Sequence, residues 1–218
     1  MIKACLFDMD GVIVDTAKFH FMAWQRLADS LSIPFTEEQN EELKGVSRVE
    51  SLEKILAWGQ IQLNNAKKIE LMDLKNKWYL DYSAEVNAAD MLDGVPEFLQ
   101  ELREKNIRIG LGSSSKNALM ILEKLGILHF FDTIIDGNKT HMSKPHPEVF
   151  LRGATELKLE PSEIVVFEDA LSGVEAAKAG GFHCIGIGDA RVLAAADAVV
   201  PSMEGMSVER MESLVTSD

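Results

Sequence analysis

Asp8 and Asp10 are the first residues of this 218-residue chain whose types and spacing suggest chemistry. They follow Met1-Ile2-Lys3-Ala4-Cys5-Leu6-Phe7, an apolar run of strand length, and side chains two apart on a strand point to the same side. Gly11 then lets the backbone turn away from them. Two like charges this close raise one pKa or require a cation between them, and a divalent metal is the economical answer. On local spacing alone, a strand end that merely caps the next segment is the alternative. Three later segments carry related chemistry. Gly112-Ser113-Ser114-Ser115-Lys116-Asn117 places hydroxyls and a cation at a helix start, where free N–H groups favour an anion; a plain serine cap has the same local pattern. Met142-Ser143-Lys144-Pro145 supplies a loop lysine. Glu168-Asp169 is an acidic pair at the end of an apolar run.

The whole string Asp8-Met9-Asp10-Gly11-Val12-Ile13-Val14-Asp15-Thr16, after its N-terminal strand, resembles the first motif of the haloacid dehalogenase-like phosphotransferases. The resemblance implies that Asp8 is a nucleophile that becomes an aspartyl phosphate, that Asp10 is a general acid and base, and that Mg2+ is required. Carried along the chain, it implies that Ser113 holds the transferring phosphoryl group and that Lys144 steadies the nucleophilic carboxylate. It also implies that Glu168 and Asp169 bind the metal together with Asp8 and the backbone carbonyl of Asp10. Four protein oxygens, with positions left for water and phosphate, suit an ion that prefers octahedral oxygen ligation.

Thr16, His20 and Trp24, spaced by four, share one helix face. Lys44-Gly45-Val46-Ser47-Arg48 is a compact basic loop whose arginine suits a second phosphate, held bidentately and away from the reacting centre. A tryptophan in such a stripe more often packs than binds. With Ser51, these segments are similar to those of the sugar-phosphate mutases of the superfamily. That similarity implies a grip on the non-transferring phosphate by Arg48, Ser115, Lys116 and Asn117, with Ser114 offering its backbone N–H. It also implies a sugar site lined by Lys44, Gly45, Val46, Ser51 and Lys75. The implied reaction interconverts β-glucose 1-phosphate and β-glucose 6-phosphate through a bisphosphate. The alternative is a sugar-phosphate phosphatase on the same scaffold, with water as acceptor.

Such residues need elements that bring them together. After Thr16, apolar positions recur at three and four: Phe19, Ala23, Trp24, Leu27, Ala28 and Leu31 mark an amphipathic helix. Thr36-Glu37-Glu38-Gln39 is a capping box for a second helix through Leu43. Helical patterns continue over Ser51 to Trp58 and Asn64 to Tyr82, with no strand signal between residues 16 and 85. From Asp93 onward, strands alternate with helices. Strands are expected at 107–112, 132–135, 164–167, 183–187 and 198–200; helices at 97–105, 117–125, 147–157 and 171–179. Repeated strand–helix units form a parallel sheet, with the ligand beyond the carboxyl ends of its strands. The expected fold is therefore α/β, a doubly wound parallel-sheet (Rossmann-like) core of residues 1–15 and 88–218, with an inserted α-helical cap domain at 16–87. The two crossings, near Val14-Asp15 and Glu85-Val86-Asn87, invite a hinge.

Composition sets outer limits. A formal charge of −13 argues against a nucleic-acid surface, and no apolar stretch approaches membrane-spanning length. Cys5 and Cys184 lie in apolar runs without metal-ligand spacing and are expected as buried free thiols in a reducing cytoplasm. The expected partner is a phosphorylated sugar, with no nucleic acid and no membrane. Monomer is the default for a compact capped core.

Overall fold

The computed structural model describes residues 1–215. Six strands form one parallel sheet: β1 (Ala4–Phe7), β2 (Arg108–Gly112), β3 (Thr133–Ile135), β4 (Ile164–Glu168), β5 (His183–Ile187) and β6 (Ala198–Val200). Their spatial order is β3-β2-β1-β4-β5-β6. The expected doubly wound α/β sheet is thus observed. Alternation within β1 serves both of its faces. Cys5 and Phe7 pack on one side with Phe98 and Leu99 of α5 (Val95–Glu104), Ile121 of α6 (Ala118–Leu125) and Met211. Ala4 and Leu6 pack on the other with Phe150 of α7 (Glu148–Leu157) and Val174 and Ala177 of α8 (Leu171–Ala179). A strand covered on both faces has no solvent side, which is why β1 is continuously apolar.

Leu6 pairs with Gly110 on one side and Val166 on the other, so β1 lies between β2 and β4. The strand order reverses at β1 and β4, and at such a switch point the carboxyl ends diverge to leave a crevice. Asp8 and Glu168-Asp169 stand on its two sides.

Between β1 and α5 the chain forms four helices: α1 (Ala17–Ser30), α2 (Glu37–Glu41), α3 (Arg48–Trp58) and α4 (Asn65–Tyr82). They bury a hydrophobic cluster drawn only from their own segment, including Trp24, Leu27, Leu52, Ile55 and Leu71. Boundaries differ from the sequence expectation for local reasons. The Thr36–Gln39 capping box forms, yet α2 ends at Glu41 rather than Leu43. Ser47 accepts from the Glu50 N–H and so starts α3 at Arg48, three residues earlier than expected. A last helix, α9 (Val208–Val215), was not anticipated; it is two turns long and buries only Val208 and Met211, too few positions to establish a period. No described helix is long and apolar enough to cross a membrane. Cys5 and Cys184 are free and buried, and burial pushes both thiols up.

Candidate active site

Above the switch point lies a cavity of about 550 Å³, lined from below by strand ends and from above by α1, α3, α4 and the loop before α3. At its floor, the Lys144 ammonium lies 2.6 Å from Asp8 Oδ1 and 2.5 Å from Glu168 Oε1, 4.9 Å from the centre of the Phe150 ring. Lys144 and Glu168 are 0% exposed and Asp8 5%, so one cation is shared by two carboxylates away from water and an excess negative charge remains. Burial would lower the lysine, but the two carboxylates outweigh it and hold the ammonium above the usual lysine range. Lys144 is joined to Pro145 by a cis peptide bond.

Glu168, expected as a metal ligand, is also held by the protein itself. One of its oxygens receives Lys144, and the other accepts from the Ala170 N–H at 2.9 Å. Gly173 makes room for this carboxylate, because a Cβ there would strike it. Asp169 makes no hydrogen bond among the described residues, and it lines the cavity. Its carboxyl is pushed well above the usual range, by burial first and then by Glu168 and Asp8. Gly11, at φ 81°, turns the chain where a Cβ would meet the Asp169 carboxylate. Among the described residues no three His, Cys, Asp or Glu side chains already close around a common point as a metal cage. The donor set still suits a hard cation: Asp8 and Asp169 bring oxygen ligands whose mutual repulsion is relieved only by added positive charge.

Asp10 faces the cavity beside them. Burial and then the charge of Asp8 push its carboxyl up to about 7, against the opposing pull of Thr16, Lys75 and Lys144. The Thr16 hydroxyl donates to Asp10 Oδ1. Thr16 was expected to touch substrate, but it is 0% exposed and stands behind Asp10, outside the cavity lining.

The helical wall carries a second buried lysine. Lys75 Nζ lies 2.8 Å from His20 Nδ1, over the rings of Trp24 (4.5 Å) and Tyr79 (5.3 Å). Burial, then Lys75 and Arg48, lower His20 well below its usual value, so the imidazole is neutral. With Nδ1 accepting from Lys75, the proton resides on Nε2, which lies 3.8 Å from Asp10 Oδ2 and makes no hydrogen bond. Trp24 is 3% exposed and does both things at once, packing in the helical core while its ring supports Lys75.

The turn after β2 forms the far end. Ser113 is 1% exposed and its Oγ accepts from the Ser115 N–H, while Ser115 Oγ accepts from the Asn117 N–H. Ser114, expected to offer its backbone N–H, also donates its hydroxyl to the Gly45 carbonyl at 2.6 Å. Lys116 lines the cavity with no ion pair among the described residues, and neither has Arg48. Burial lowers Arg48, and Asp73 partly opposes it. Lys44, Gly45 and Val46 line the cavity, with Lys44 paired to Glu41 at 2.8 Å. Ser51 lines it too, but its hydroxyl is committed to the Ser47 carbonyl of its own helix. Asn117 lies just outside the lining and donates to Asn76. Asn76, Tyr79, Ser143 and Ser172 were missed. Each acts through a contact far along the chain, which spacing does not encode.

Residues 5–187 match the family described as haloacid dehalogenase-like hydrolase. The chain is 41% identical over 210 residues to a beta-phosphoglucomutase of Bacillus subtilis, covering 95% of this chain and 93% of that one. It is 33% identical over 218 residues to a phosphorylated carbohydrates phosphatase of Thermotoga maritima, covering 95% and 98%. The crystal structure of a beta-phosphoglucomutase from Clostridium difficile superposes with a TM-score of 0.96 at 38% identity, covering 99% of this chain and 97% of that one.

Proposed function

Because the chain belongs to the haloacid dehalogenase-like hydrolase family, we propose that it is a β-phosphoglucomutase, interconverting β-D-glucose 1-phosphate and β-D-glucose 6-phosphate. The observation that carries this reading is a second cationic end to the same cavity. Arg48 and Lys116, without carboxylate partners, face the cavity whose other end holds Asp8. Hydrolysis of one phosphate has no need of a second grip.

In this reading the Asp8 carboxylate attacks phosphorus in line. A P–O bond to Asp8 forms as the P–O bond to the sugar breaks, and Asp10 gives its proton to the departing sugar oxygen. A carboxyl raised to about 7 can donate in one half-reaction and accept in the other. Lys144 offsets the charge that an anionic nucleophile and phosphate bring together, and Ser113 steadies the transferring group. Attack on a bisphosphate leaves a hexose monophosphate and phosphorylated Asp8. The 6-hydroxyl of a bound β-glucose 1-phosphate then takes this phosphoryl group, giving its proton to Asp10 as the P–O bond to Asp8 breaks. The glucose 1,6-bisphosphate so formed turns over, while Arg48, Ser115, Lys116 and Asn117 hold whichever phosphate is not reacting. His20, Lys75, Lys44 and the Gly45–Val46 backbone face the sugar. Residues 16–87 act as a cap that shuts out water. Asp8, Glu168, Asp169 and the main-chain oxygen of Asp10 would hold Mg2+, which would neutralise phosphoryl charge as a Lewis acid.

With β-glucose 1-phosphate, a catalytic amount of β-glucose 1,6-bisphosphate and magnesium, glucose 6-phosphate should form without matching release of free phosphate. Phosphate released at the rate of substrate loss would instead make the protein a sugar-phosphate phosphatase, the activity that the Thermotoga relative's name carries. Asp8→Asn should lower turnover on the order of 10⁴-fold or more and abolish the acid-trapped phosphoenzyme. Unchanged turnover would refute the nucleophile assignment.

A further inference from the structure

Asn76, in the middle of α4, occupies a position that the reaction as described leaves unused. Its Oδ1 accepts from Arg48 at 2.7 Å and from Asn117 Nδ2 at 2.9 Å. Arg48 opens α3 and Asn117 stands at the head of α6, so one oxygen joins two helices of the helical block to the sheet core. The orientation of both amides is set by donor chemistry. A guanidinium can only donate, so Asn76 must turn its oxygen to Arg48, and Asn117 must then present its NH2 group to the same oxygen. Both lone pairs of Asn76 Oδ1 are used.

We propose that Asn76 is a positioning residue that assembles the second phosphate site by aligning Arg48 with Asn117 through a neutral acceptor. The inference rests on the reading of Arg48 and Asn117 as the grip on the non-transferring phosphate. A neutral acceptor is the informative part. Arg48 is half-buried, its guanidinium is already disfavoured by burial, and it has no ion pair among the described residues. A carboxylate at position 76 would align it equally well but would neutralise it and repel an incoming phosphate. An amide fixes the guanidinium in place and leaves its charge for the ligand. Because the oxygen also receives Asn117, the two donors are brought together only when helical block and core are close.

The test compares Asn76→Ala, Asn76→Asp and Arg48→Ala in the full-length enzyme with magnesium. Asn76→Ala removes one charge-assisted acceptor and should raise KM for β-glucose 1-phosphate roughly tenfold, with kcat changed about threefold or less and the thermal midpoint within about 4 °C of the parent. Asn76→Asp keeps the bridge and strengthens it, yet should raise KM at least as much, because phosphate must now compete for Arg48. A residue of merely structural value would give the opposite order, with the aspartate near the parent. Aspartate at parental KM, or alanine lowering kcat and stability without raising KM, overturns the inference. If Arg48→Ala raises KM and Asn76→Ala does not, the inference alone fails. If Arg48→Ala leaves KM unchanged, the second phosphate site itself is misplaced and the role given to Asn76 falls with it.

Discussion

Lys144 and Lys75 are both hidden from solvent, 0% and 2% exposed, on opposite walls of one cavity. Their surroundings differ in kind. Lys144 rises from the loop after β3 into two carboxylates, Asp8 and Glu168, and its pKa is raised. Lys75 projects from α4 onto a neutral imidazole and two aromatic faces. Its pKa falls well below 10.5, through burial first and then Arg48, while Asp10 pulls the other way. The core wall therefore holds its lysine between fixed carboxylates and keeps an excess of negative charge that suits a cation. The helical wall keeps a buried lysine whose charge is disfavoured by burial, so that an anionic ligand entering the cavity would be its partner. On the proposed reading, ligand contacts are thus concentrated on the helical wall, and the paired cation on the wall given the chemistry.

Replacing each lysine by methionine sharpens this contrast. Lys144→Met strands two carboxylates in a buried site and should destabilise the protein by about 3–5 kcal/mol, read from denaturant unfolding in EDTA so that no cation takes its place. A loss below about 1 kcal/mol would mean that the triad contributes little. Lys75→Met removes a buried charge without a carboxylate partner and should stabilise on the order of 1 kcal/mol while impairing turnover. Linkage gives the sign with pH. Over the range between the lowered folded pKa and 10.5, the unfolded chain holds more protons at Lys75 than the folded one. Parent stability from this group should therefore rise with pH toward 10.5, and Lys75→Met should flatten that slope. His20, Arg48 and Asp10 face the same amine, and Lys75 itself lowers His20 and Asp10, so the two curves are compared on the alkaline side, where His20 and Asp10 have lost their protons in both proteins. An equally steep slope in the variant would show that Lys75 is not electrostatically isolated.

The two walls were unequally legible in the sequence. On the core side, each chemical residue ends or follows a strand, and continuous apolar runs of strand length make strand ends visible. Asp8, Ser113, Lys144 and Glu168-Asp169 could therefore be placed at one sheet edge from order alone. What order could not give was the division of labour between Glu168 and Asp169, which depends on where Lys144 Nζ and the Ala170 N–H sit in space. On the helical side, His20 and Trp24 are legible from helix spacing, but α4 has a weak apolar stripe, with only Leu71, Lys75 and Tyr79 buried. Asn76 lies beside Lys75 in sequence and faces a different neighbour. Its partners are 28 and 41 residues away, a separation no local pattern reveals. Thr16 was noticed for its spacing, yet its contact is with Asp10, six residues earlier and around the turn at Gly11.

The smallest expected effect concerns how the two walls meet. Three serines of the core, two in loops and one in the first turn of α8, each donate to the helical block: Ser114 to the Gly45 carbonyl at 2.6 Å, Ser172 to the Lys44 carbonyl at 3.0 Å, and Ser143 to the Glu50 carboxylate. Each follows a different strand, β2, β4 and β3, so the contacts surround the cavity mouth. Ser114 and Ser172 bond neutral carbonyls that water can satisfy equally well once the walls part. Such a bond is worth about 0.5–1.5 kcal/mol, enough to bias a hinge and too little to lock it. Ser114→Ala and Ser172→Ala should therefore leave global unfolding nearly unchanged, while each raises the open population by a factor of about 2–10. Hydrogen exchange at the first turn of α3 and around Gly45 reads this directly, because those amides lose shelter when the block lifts. Faster exchange there, with parental protection in β1 and β4, is the expected pattern. Parental exchange in the double variant would mean that burial of the Lys44–Arg48 loop, rather than the serine hydroxyls, holds the walls together.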